Sequence, residues 1–405
     1  MSLRTRLSTT PRLSLLAGLA LLSIPPLLVA SCADSEPETN DGPDAEAPAT
    51  GDDASDASDA GPPPVDAGCE AGDPRCMETE VPCATTDFCP VTGVVDARYA
   101  LTAIWGSSKD DVWAVGSAGT VLHWDGKVWE PRSVPTGHTL FGVWGSDAGE
   151  LWAASSYTDS FRGTIQEDAS VAWTKLPTLT IPSSNDLYPA LAAVWGRAPD
   201  DVWFGGGDRV TGFPQARAWR TRTAADGGVA WQTLSPCTTS ADCPAVRAIW
   251  GHSDTDIWLV GDKGRTYRAG VTDAGVAFTT VESQTTQALK AVWGASADLV
   301  WAAGDNGVVC RTSANAPAWT PVDVPTGEDL RGLWGSSASD IWAVGAYGTI
   351  LHFDGETWTQ ASAAFPIGPK PHLYGIWGSG PNDVWIVGEG ILLHHSGPAK
   401  SGGQP

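Results

Sequence analysis

One short pattern recurs along most of this 405-residue chain and limits the folds that the chain can adopt. A Trp-Gly pair occurs seven times, and a second tryptophan follows each pair's tryptophan eight residues later. The pairs begin at Trp105, Trp144, Trp195, Trp250, Trp293, Trp334 and Trp377, so successive pairs lie 39, 51, 55, 43, 41 and 43 residues apart. A repeat of this length is typical of folds in which each unit buries its apolar face against its neighbours.

Each unit contains four short runs that alternate with turn residues. In the sixth unit these are residues 330–335, 341–344 and 349–353, followed by a fourth run that carries Trp358. Asp354-Gly355 separates the last two runs and is a favoured hairpin dipeptide. Short β-branched runs bounded by turn residues, with no helical period between them, predict antiparallel meanders. Four strands per 40 to 55 residues indicate an all-β, seven-bladed β-propeller.

The last unit predicts how the circle closes. It ends after the run Ile391-Leu392-Leu393-His394 and lacks a fourth strand, whereas residues 91–99 form an extended segment before the first unit. We expect residues 91–99 to supply the outer strand of the last blade, because an N-terminal strand there removes an open sheet edge. The recurrent tryptophans are expected in the core between blades. A platform for binding sugars is the alternative interpretation.

The N-terminus carries export signals. Residues 1–31 combine Arg4, Arg6 and Arg12 with an apolar run, as a secretory signal peptide does. A membrane-spanning anchor is the alternative, but the run is short and contains Pro25-Pro26. The residues before Cys32 read Val-Ala-Ser and resemble the lipobox of bacterial lipoproteins. That resemblance implies lipidation of Cys32, membrane contact through this lipid only, and an outer-membrane location on the periplasmic or cell-surface side.

The composition between the signal and the repeats predicts a linker. Residues 32–68 contain eleven acidic residues and no Lys or Arg, so we expect a disordered tether. Calcium binding by these acids is the alternative. Residues 69–90 form a Cys-rich segment, residues 91–397 the propeller, and residues 398–405 a disordered tail.

The cysteines fit an exported protein. Cys69, Cys76, Cys83 and Cys89 are predicted to form two disulfides, which can pair in three ways. A zinc site is the alternative, although the spacing lacks paired C-x2-C knuckles. Cys237 and Cys243 are expected to close a polar loop, which leaves Cys310 unpaired.

Charge and motifs exclude several functions. A net charge of -23 opposes nucleic-acid binding, which needs clustered Lys and Arg. The chain contains no phosphate-binding loop, no H-E-x-x-H and no Gly-Ser nucleophile elbow. His123, His352 and His394 occupy equivalent third-strand positions and indicate repeat structure, so we predict no metal and no cofactor. The acids before the second strands are expected to be turn residues that bond their own backbone (Asp111, Asp201, Asp256, Asp340 and Asp383).

The repeats also support a family resemblance. Residues from about 90 to 397 resemble bacterial, myxobacterial-type propeller lipoproteins with W-G-S-x-x-D-V-W-A-V-G repeats, often described as BNR or Asp-box repeat proteins. The resemblance implies the fold and leaves the function open. An active sialidase of this class needs clustered arginines, a Tyr-Glu pair and an acidic proton donor. The arginines here are scattered along the chain, and spacing identifies no Tyr-Glu pair.

Departures from the repeat suggest a binding face. The second and third units carry extra residues in the loops after their second and fourth strands, and both loop classes lie on one face of a propeller. The predicted binding-face residues are Tyr157, Phe161, Tyr188, Asp208, Arg209, Phe213, Asp262, Lys263, Asp305, Asn306, Tyr347 and Glu389.

The sequence thus predicts a non-enzymatic, surface-tethered binding module or scaffold. Its loop-rich face would bind a protein or glycan partner in adhesion or envelope assembly. A sialidase-like glycan hydrolase and a purely structural envelope scaffold are the alternatives.

Overall fold

The fold was analysed in a computed structural model, which describes residues 69–146, 149–155, 159–179, 189–208, 215–223, 228–237 and 243–397. These residues form seven four-stranded antiparallel sheets and a two-stranded ribbon. The first strand of each sheet packs against the first strand of the next sheet, and the first strand of the last sheet packs against that of the first. The sheets therefore close a circle, and the predicted seven-bladed β-propeller is confirmed.

Blades 1 to 3 follow the order predicted from the repeat. Their strands are β3 (Leu101–Ser108), β4 (Asp111–Gly116), β5 (Val121–Trp124) and β6 (Trp129–Arg132); β7 (Leu140–Ser146), β8 (Glu150–Ser155), β9 (Ser160–Ile165) and β10 (Val171–Lys175); and β11 (Pro189–Ala198), β12 (Asp201–Asp208), β13 (Gln215–Thr223) and β14 (Val229–Leu234). Part of the extra sequence in blade 3 lengthens its strands, since β11, β12 and β13 contain ten, eight and nine residues.

Blades 4 to 6 repeat this plan with shorter connections. Their strands are β15 (Val246–Ser253), β16 (Asp256–Gly261), β17 (Thr266–Thr272) and β18 (Gly275–Thr280); β19 (Leu289–Ser296), β20 (Leu299–Gly304), β21 (Val309–Thr312) and β22 (Thr320–Val322); and β23 (Leu330–Ser337), β24 (Asp340–Gly345), β25 (Ile350–Phe353) and β26 (Trp358–Gln360). Short 3-10 turns occur at Cys83–Thr85, Ser117–Gly119, Asp262–Gly264, Asp305–Gly307 and Ala346–Gly348.

The last blade closes with an N-terminal strand, as predicted, but that strand begins earlier than expected. Blade 7 comprises β28 (Leu373–Gly380), β29 (Asp383–Gly388), β30 (Ile391–His395) and, on its outer edge, β2 (Cys89–Pro90). Cys89 pairs with His394 and Pro90 with Leu393, and the amide of Val91 donates to Leu392 O at 2.8 Å. The closing strand thus lies in the predicted Cys-rich segment.

Residues 92–99 cannot extend the closing strand for a geometric reason. The chain must pass from the outer edge of blade 7 to the first strand of blade 1, which lines the axis. It does so through turns, with Gly93 at a φ of 78° and the Tyr99 amide bonded to Asp96 O. Val91, Val94 and Val95 pack against the apolar cluster between blades 7 and 1.

The Trp-Gly pairs connect neighbouring blades. In all seven pairs the indole lies over the glycine of the next blade's pair, from Trp105 over Gly145 around to Trp377 over Gly106. A Cβ built on Gly106 would lie 2.6 Å from Cη2 of Trp377, so a side chain there would force the blades apart. The glycine of each pair is required by this close approach, which we call the inter-blade seam.

The second tryptophans form the core beside this seam, as predicted. They are at most 5% exposed in every blade: Trp113, Trp152, Trp203, Trp258, Trp301, Trp342 and Trp385. Each lies in an apolar cluster, and these clusters join neighbouring blades, as where Trp113 packs with Leu140 and Leu151. A buried indole removes a large apolar area from water and therefore stabilises the contact between two sheets.

The acids before the second strands are not the backbone-bonding turn residues that we expected. In blade 1, Asp111 accepts hydrogen bonds from Ser107 Oγ at 2.5 Å and from Trp113 Nε1 at 2.8 Å, and its Oδ1 lies 2.8 Å from Nε2 of His123. The His123 ring stacks on Trp113 with centroids 4.0 Å apart. Blades 6 and 7 repeat the Asp–His contact with His352 and His394.

Arginine replaces histidine in blades 2 to 4 and forms ion pairs with the equivalent acids, as in Arg220–Asp201. Burial raises the pKa of Asp201, but hydrogen bonds from Arg220 and Arg197 outweigh it, so the pKa is lowered. In these blades the acid is bonded to the third-strand histidine or arginine, and this explains why three histidines share one repeat position.

Among the described residues three disulfides are present, which confirms the predicted disulfide-bonded character. Cys69 pairs with Cys76, Cys83 with Cys89, and Cys237 with Cys243, whereas Cys310 is free and buried. Because all four N-terminal sulfurs are bonded in pairs, they do not form the alternative zinc site. Within the described part of the chain, no helix is long and apolar enough to cross a membrane.

Candidate functional site

A funnel opens at the centre of the face that carries the turns between second and third strands. Its cavity has a volume of about 750 Å³, and its wall includes one residue from each first strand. These seven residues, which define the central funnel, are Thr102, Phe141, Ala192, Arg247, Lys290, Arg331 and Tyr374.

A β-bulge places each of these side chains. The ladder between the first and second strands shifts register at the same step in all seven blades, as between Leu330 and Gly332 in blade 6. The shifted residues are the seven funnel residues. A bulge leaves one residue outside the ladder and re-aims its side chain. The preceding residue, such as Leu330, is buried between blades, so the bulged residue faces the axis.

The funnel wall is chemically asymmetric. Blades 4, 5 and 6 contribute Arg247, Lys290 and Arg331, whereas blades 2 and 3 contribute Phe141 and Ala192. Phe141 is 43% exposed, although large apolar side chains are normally covered. In a circle of seven blades, blade 6 lies across the axis from blades 2 and 3. A ligand in the funnel would therefore contact cations on one side and apolar groups on the other.

Two of the three cations are neutralised by carboxylates in the wall. Nε of Arg247 donates to Oδ1 of Asp262 at 2.7 Å and its Nη2 donates to Oδ2 at 2.7 Å, and this pairing raises the pKa of Arg247. Lys290 contacts Asp305 and donates to Oδ2 of Asp329 at 3.1 Å. Burial raises the pKa of Asp329, but bonds from the Asn306 amide and Lys290 outweigh it and lower the pKa.

The third cation is held by a tyrosine. The Arg331 guanidinium lies over the Tyr374 ring, 5.0 Å from its centroid, and no carboxylate among the described residues forms an ion pair with it. The Tyr374 hydroxyl donates to Oε1 of Glu389 at 2.7 Å. Burial and this bond to Glu389 raise the pKa of Tyr374 to about 12. The tyrosine therefore stays protonated at neutral pH.

Several predicted binding-face residues lie in or beside the funnel. Asp262 and Asp305 are in its wall, where they pair with Arg247 and Lys290. Lys263 and Asn306 occupy the left-handed position of the adjoining 3-10 turns, with φ of 55° at both. Lys263 is exposed, and the Asn306 side chain donates to Gln287 at 2.9 Å.

Tyr347 and Glu389 belong to the rim on blades 6 and 7. Tyr347 has a φ of 50° and is 36% exposed, and His372 packs edge-on against its ring. The Arg75 guanidinium lies 4.6 Å from the Tyr347 ring centroid and forms an ion pair with Glu328 at 2.9 Å. The strands β1 (Cys76–Met77) and β27 (Gly368–Pro369) pair beside this contact. The Cys69–Cys76 loop thus covers part of the predicted surface.

The prediction that Phe161 belongs to the binding face is wrong. Phe161 is fully buried, because β9 already begins at Ser160 and turns the ring into the cluster with Trp113 and Leu140. Other predictions lie outside the described residues: Cys32, Tyr157, Tyr188, Arg209 and Phe213, together with the side chain of Asp208.

Sequence reasoning missed the funnel residues themselves. They all follow the first leucine or valine of a unit, and this position varies around the circle while its neighbours recur. A comparison of the aligned units at that position could have found them. The described residues include no group of three His, Cys, Asp or Glu that could hold a metal ion.

Comparisons with known proteins show which solved structures have a similar fold. No protein-family model matches the chain, and no curated protein matches it. The chain is similar to the solved structure of YCF48 bound to D1 peptide (TM-score 0.55, 16% identity, 80% of this chain and 100% of the other). It is also similar to YCF48 from Cyanidioschyzon merolae (TM-score 0.58, 19% identity, 76% and 98%).

A third similar structure is the WD40 β-propeller domain of Doa1 (TM-score 0.57, 12% identity, 78% of this chain and 98% of the other). At these identities the likeness concerns the fold, which is a β-propeller in each case.

Proposed function

We propose that this protein is a binding module whose central funnel receives a segment of a partner protein. The observation that carries the proposal is the set of seven bulges that aim seven side chains of six types at one cavity of about 750 Å³. A structural scaffold alone would not need this asymmetry, because the inter-blade seam closes the circle without it. Pockets that bury a ligand usually combine apolar walls with a few polar groups, as this funnel does.

A peptide suits the wall better than a glycan does. On the side of blades 2 and 3, across from Arg331, the wall consists of Thr139, Phe141, Ala190, Leu191 and Ala192. Such a surface has few groups that could pair with sugar hydroxyls, and leaving those hydroxyls unpaired costs free energy. The similar propeller YCF48 is described with a bound D1 peptide, which supports a peptide in a propeller of this kind.

Site-specific photo-crosslinking tests the proposal. A photo-reactive phenylalanine analogue replaces Phe141 in the funnel of the full chain in its native cells. The matched control carries the analogue at Val128, which is 48% exposed. Val128 lies in the turn after the third strand, and the turn's Gly126 adjoins Asp110 at the other end of the blade. We expect a protein adduct at position 141, none at 128, and loss of the adduct when Ala192→Trp fills the funnel.

Equal adducts at both positions, or an adduct that survives Ala192→Trp, would contradict a funnel site. Binding of the full chain to a glycan array, with no protein adduct at 141, would favour the glycan partner instead.

One observation favours hydrolysis of an anionic sugar as a second candidate. The funnel brings together Arg247, Arg331 and a Tyr374–Glu389 pair, which spacing in the sequence did not identify. The raised pKa of Tyr374 and the Asp262 carboxylate on Arg247 oppose this chemistry, because a nucleophilic phenolate and free arginines are needed. Turnover of a methylumbelliferyl sialoside that Glu389→Gln abolishes would establish it.

We infer that the module acts outside the cytoplasm. Three disulfides support an oxidising compartment, since such bonds are rare in reducing ones. Lipidation of Cys32 would tether the propeller to the outer membrane and leave the funnel available to an envelope or extracellular partner.

A further inference from the structure

We propose that the funnel selects a partner segment with one acidic side chain, which binds Arg331, and one large apolar side chain, which binds across the funnel at Phe141 and Ala192. This inference rests on the proposed function and names the chemistry of the segment. It follows from three features of the wall: one cation without a carboxylate, a fixed orientation of that cation, and a ring of acids that limits the ligand's charge.

Arg331 is the funnel cation that can accept a carboxylate without displacing another. Asp262 occupies Arg247, and Asp305 and Asp329 occupy Lys290. Asp329 is close enough to Arg331 for the guanidinium charge to help lower its pKa, yet its bonds go to Lys290 and Asn306. A guanidinium presents paired N–H donors that match a carboxylate, so an acidic side chain would complete the coordination of Arg331.

The Tyr374 ring fixes the direction of the Arg331 donors. The guanidinium lies over the ring at 5.0 Å, and the ring is held in turn by its hydroxyl bond to Glu389 at 2.7 Å. The ring quadrupole attracts the guanidinium charge and restricts where the Arg331 side chain lies. The donors are therefore positioned before a ligand arrives, which lowers the entropy cost of binding.

The surrounding carboxylates restrict the segment to one acid. Asp262, Asp305, Asp329 and Glu389 lie at or beside the wall, and the chain carries a net charge of -23. A segment with several acids would place its additional carboxylates near these groups and be repelled. The apolar wall on the opposite side provides the second anchor, because burial of Phe141 against an apolar side chain is favourable.

Selection from a random dodecapeptide library on the full chain tests this inference. We expect the enriched peptides to carry one Asp or Glu and one large apolar residue, and to lose the acid when the library is selected on Arg331→Met. The most enriched peptide is then synthesised with an amidated C-terminus, both as selected and with its acid changed to the amide. On the parent protein the amide form should bind about tenfold more weakly, as expected for one charged hydrogen bond.

The matched control is Arg311→Met. Arg311 is exposed and lies over the Trp301 ring at 5.8 Å, but it is on β21 and outside the funnel. It should keep the tenfold difference, whereas Arg331→Met should bind both peptide forms equally. The difference should also shrink from low to high salt, since exposed charges are screened.

Enriched peptides without an acid, with several acids, or with an acid whose effect persists in Arg331→Met would each overturn this inference. If such peptides still lost binding in Ala192→Trp, the proposed function would stand without it. Failure to enrich any peptide would overturn the inference, and the crosslinking adduct would then decide the proposed function separately.

Discussion

The inter-blade seam and the wall of the central funnel are both formed by the first strands. In each of these strands the Trp-Gly pair of the seam lies three and four residues after the funnel residue. The two positions differ in how much their residue types vary from blade to blade. At the seam every blade uses Trp-Gly, and each indole lies over the next blade's glycine. At the funnel the seven blades use Thr, Phe, Ala, Arg, Lys, Arg and Tyr. Closing the circle constrains the seam in all blades equally, whereas the bulged position lines a cavity and carries side chains of different kinds. The residue at the bulged position can therefore differ from blade to blade and contribute to binding.

The largest expected effect is on the core beside the seam. Trp301 is 1% exposed and packs against Phe353 and Trp358 of the next blade, so Trp301→Ala should lower the free energy of unfolding by about 3 to 5 kcal/mol. Urea denaturation followed by circular dichroism measures this loss. A loss below about 1 kcal/mol would mean that neighbouring blades do not depend on this contact.

An intermediate effect is expected at the seam glycine. Gly106→Ala would place a methyl group 2.6 Å from Trp377 and should cost about 1 to 3 kcal/mol through overpacking. Gly137→Ala is the matched control, because no atom lies within 4 Å of a Cβ there. The denaturation midpoints of the two variants show whether the neighbouring indole requires a glycine at position 106. Equal midpoints would show that the glycine is not required by the neighbouring indole.

The smallest effect on stability is expected in the funnel. Phe141→Ala and Arg331→Met should change the free energy of unfolding by no more than about 0.5 kcal/mol, because both side chains face an open cavity. The same two variants should weaken partner binding, by about tenfold for Arg331→Met. A stability loss comparable to that of Trp301→Ala would instead show that these side chains belong to the core. The seam and the funnel wall would then not differ in their contribution to stability.

The fold was largely predictable because it depends on repetition. Seven recurrences of Trp-Gly and of the second tryptophan predict seven blades before any contact is known. We predicted that an N-terminal strand closes the last blade, but we expected it at residues 91–99, whereas it lies at Cys89–Pro90. Its limits depend on the path from the outer edge of one blade to the inner edge of the next, and no local pattern encodes that path.

The candidate site was less predictable. Loop position suggested Asp262 and Asp305, which lie in the funnel wall, but it also suggested Phe161, which a longer strand buries. Arg247, Lys290 and Arg331 are 43 and 41 residues apart, so they look scattered in the sequence although the circle brings them to one wall. The Tyr374–Glu389 pair escaped notice because its two residues lie 15 positions apart, one on the first strand of blade 7 and the other just after the second strand.

By itself the sequence determined the number of blades, the strand order and the residues at the seam, because these depend on local periodicity and on a repeated need to bury indoles. Only the tertiary structure decided which side chains share the funnel and which cation lacks a carboxylate. Those properties arise from seven bulges that point at one axis, and residues about 40 positions apart meet there only after the circle has closed.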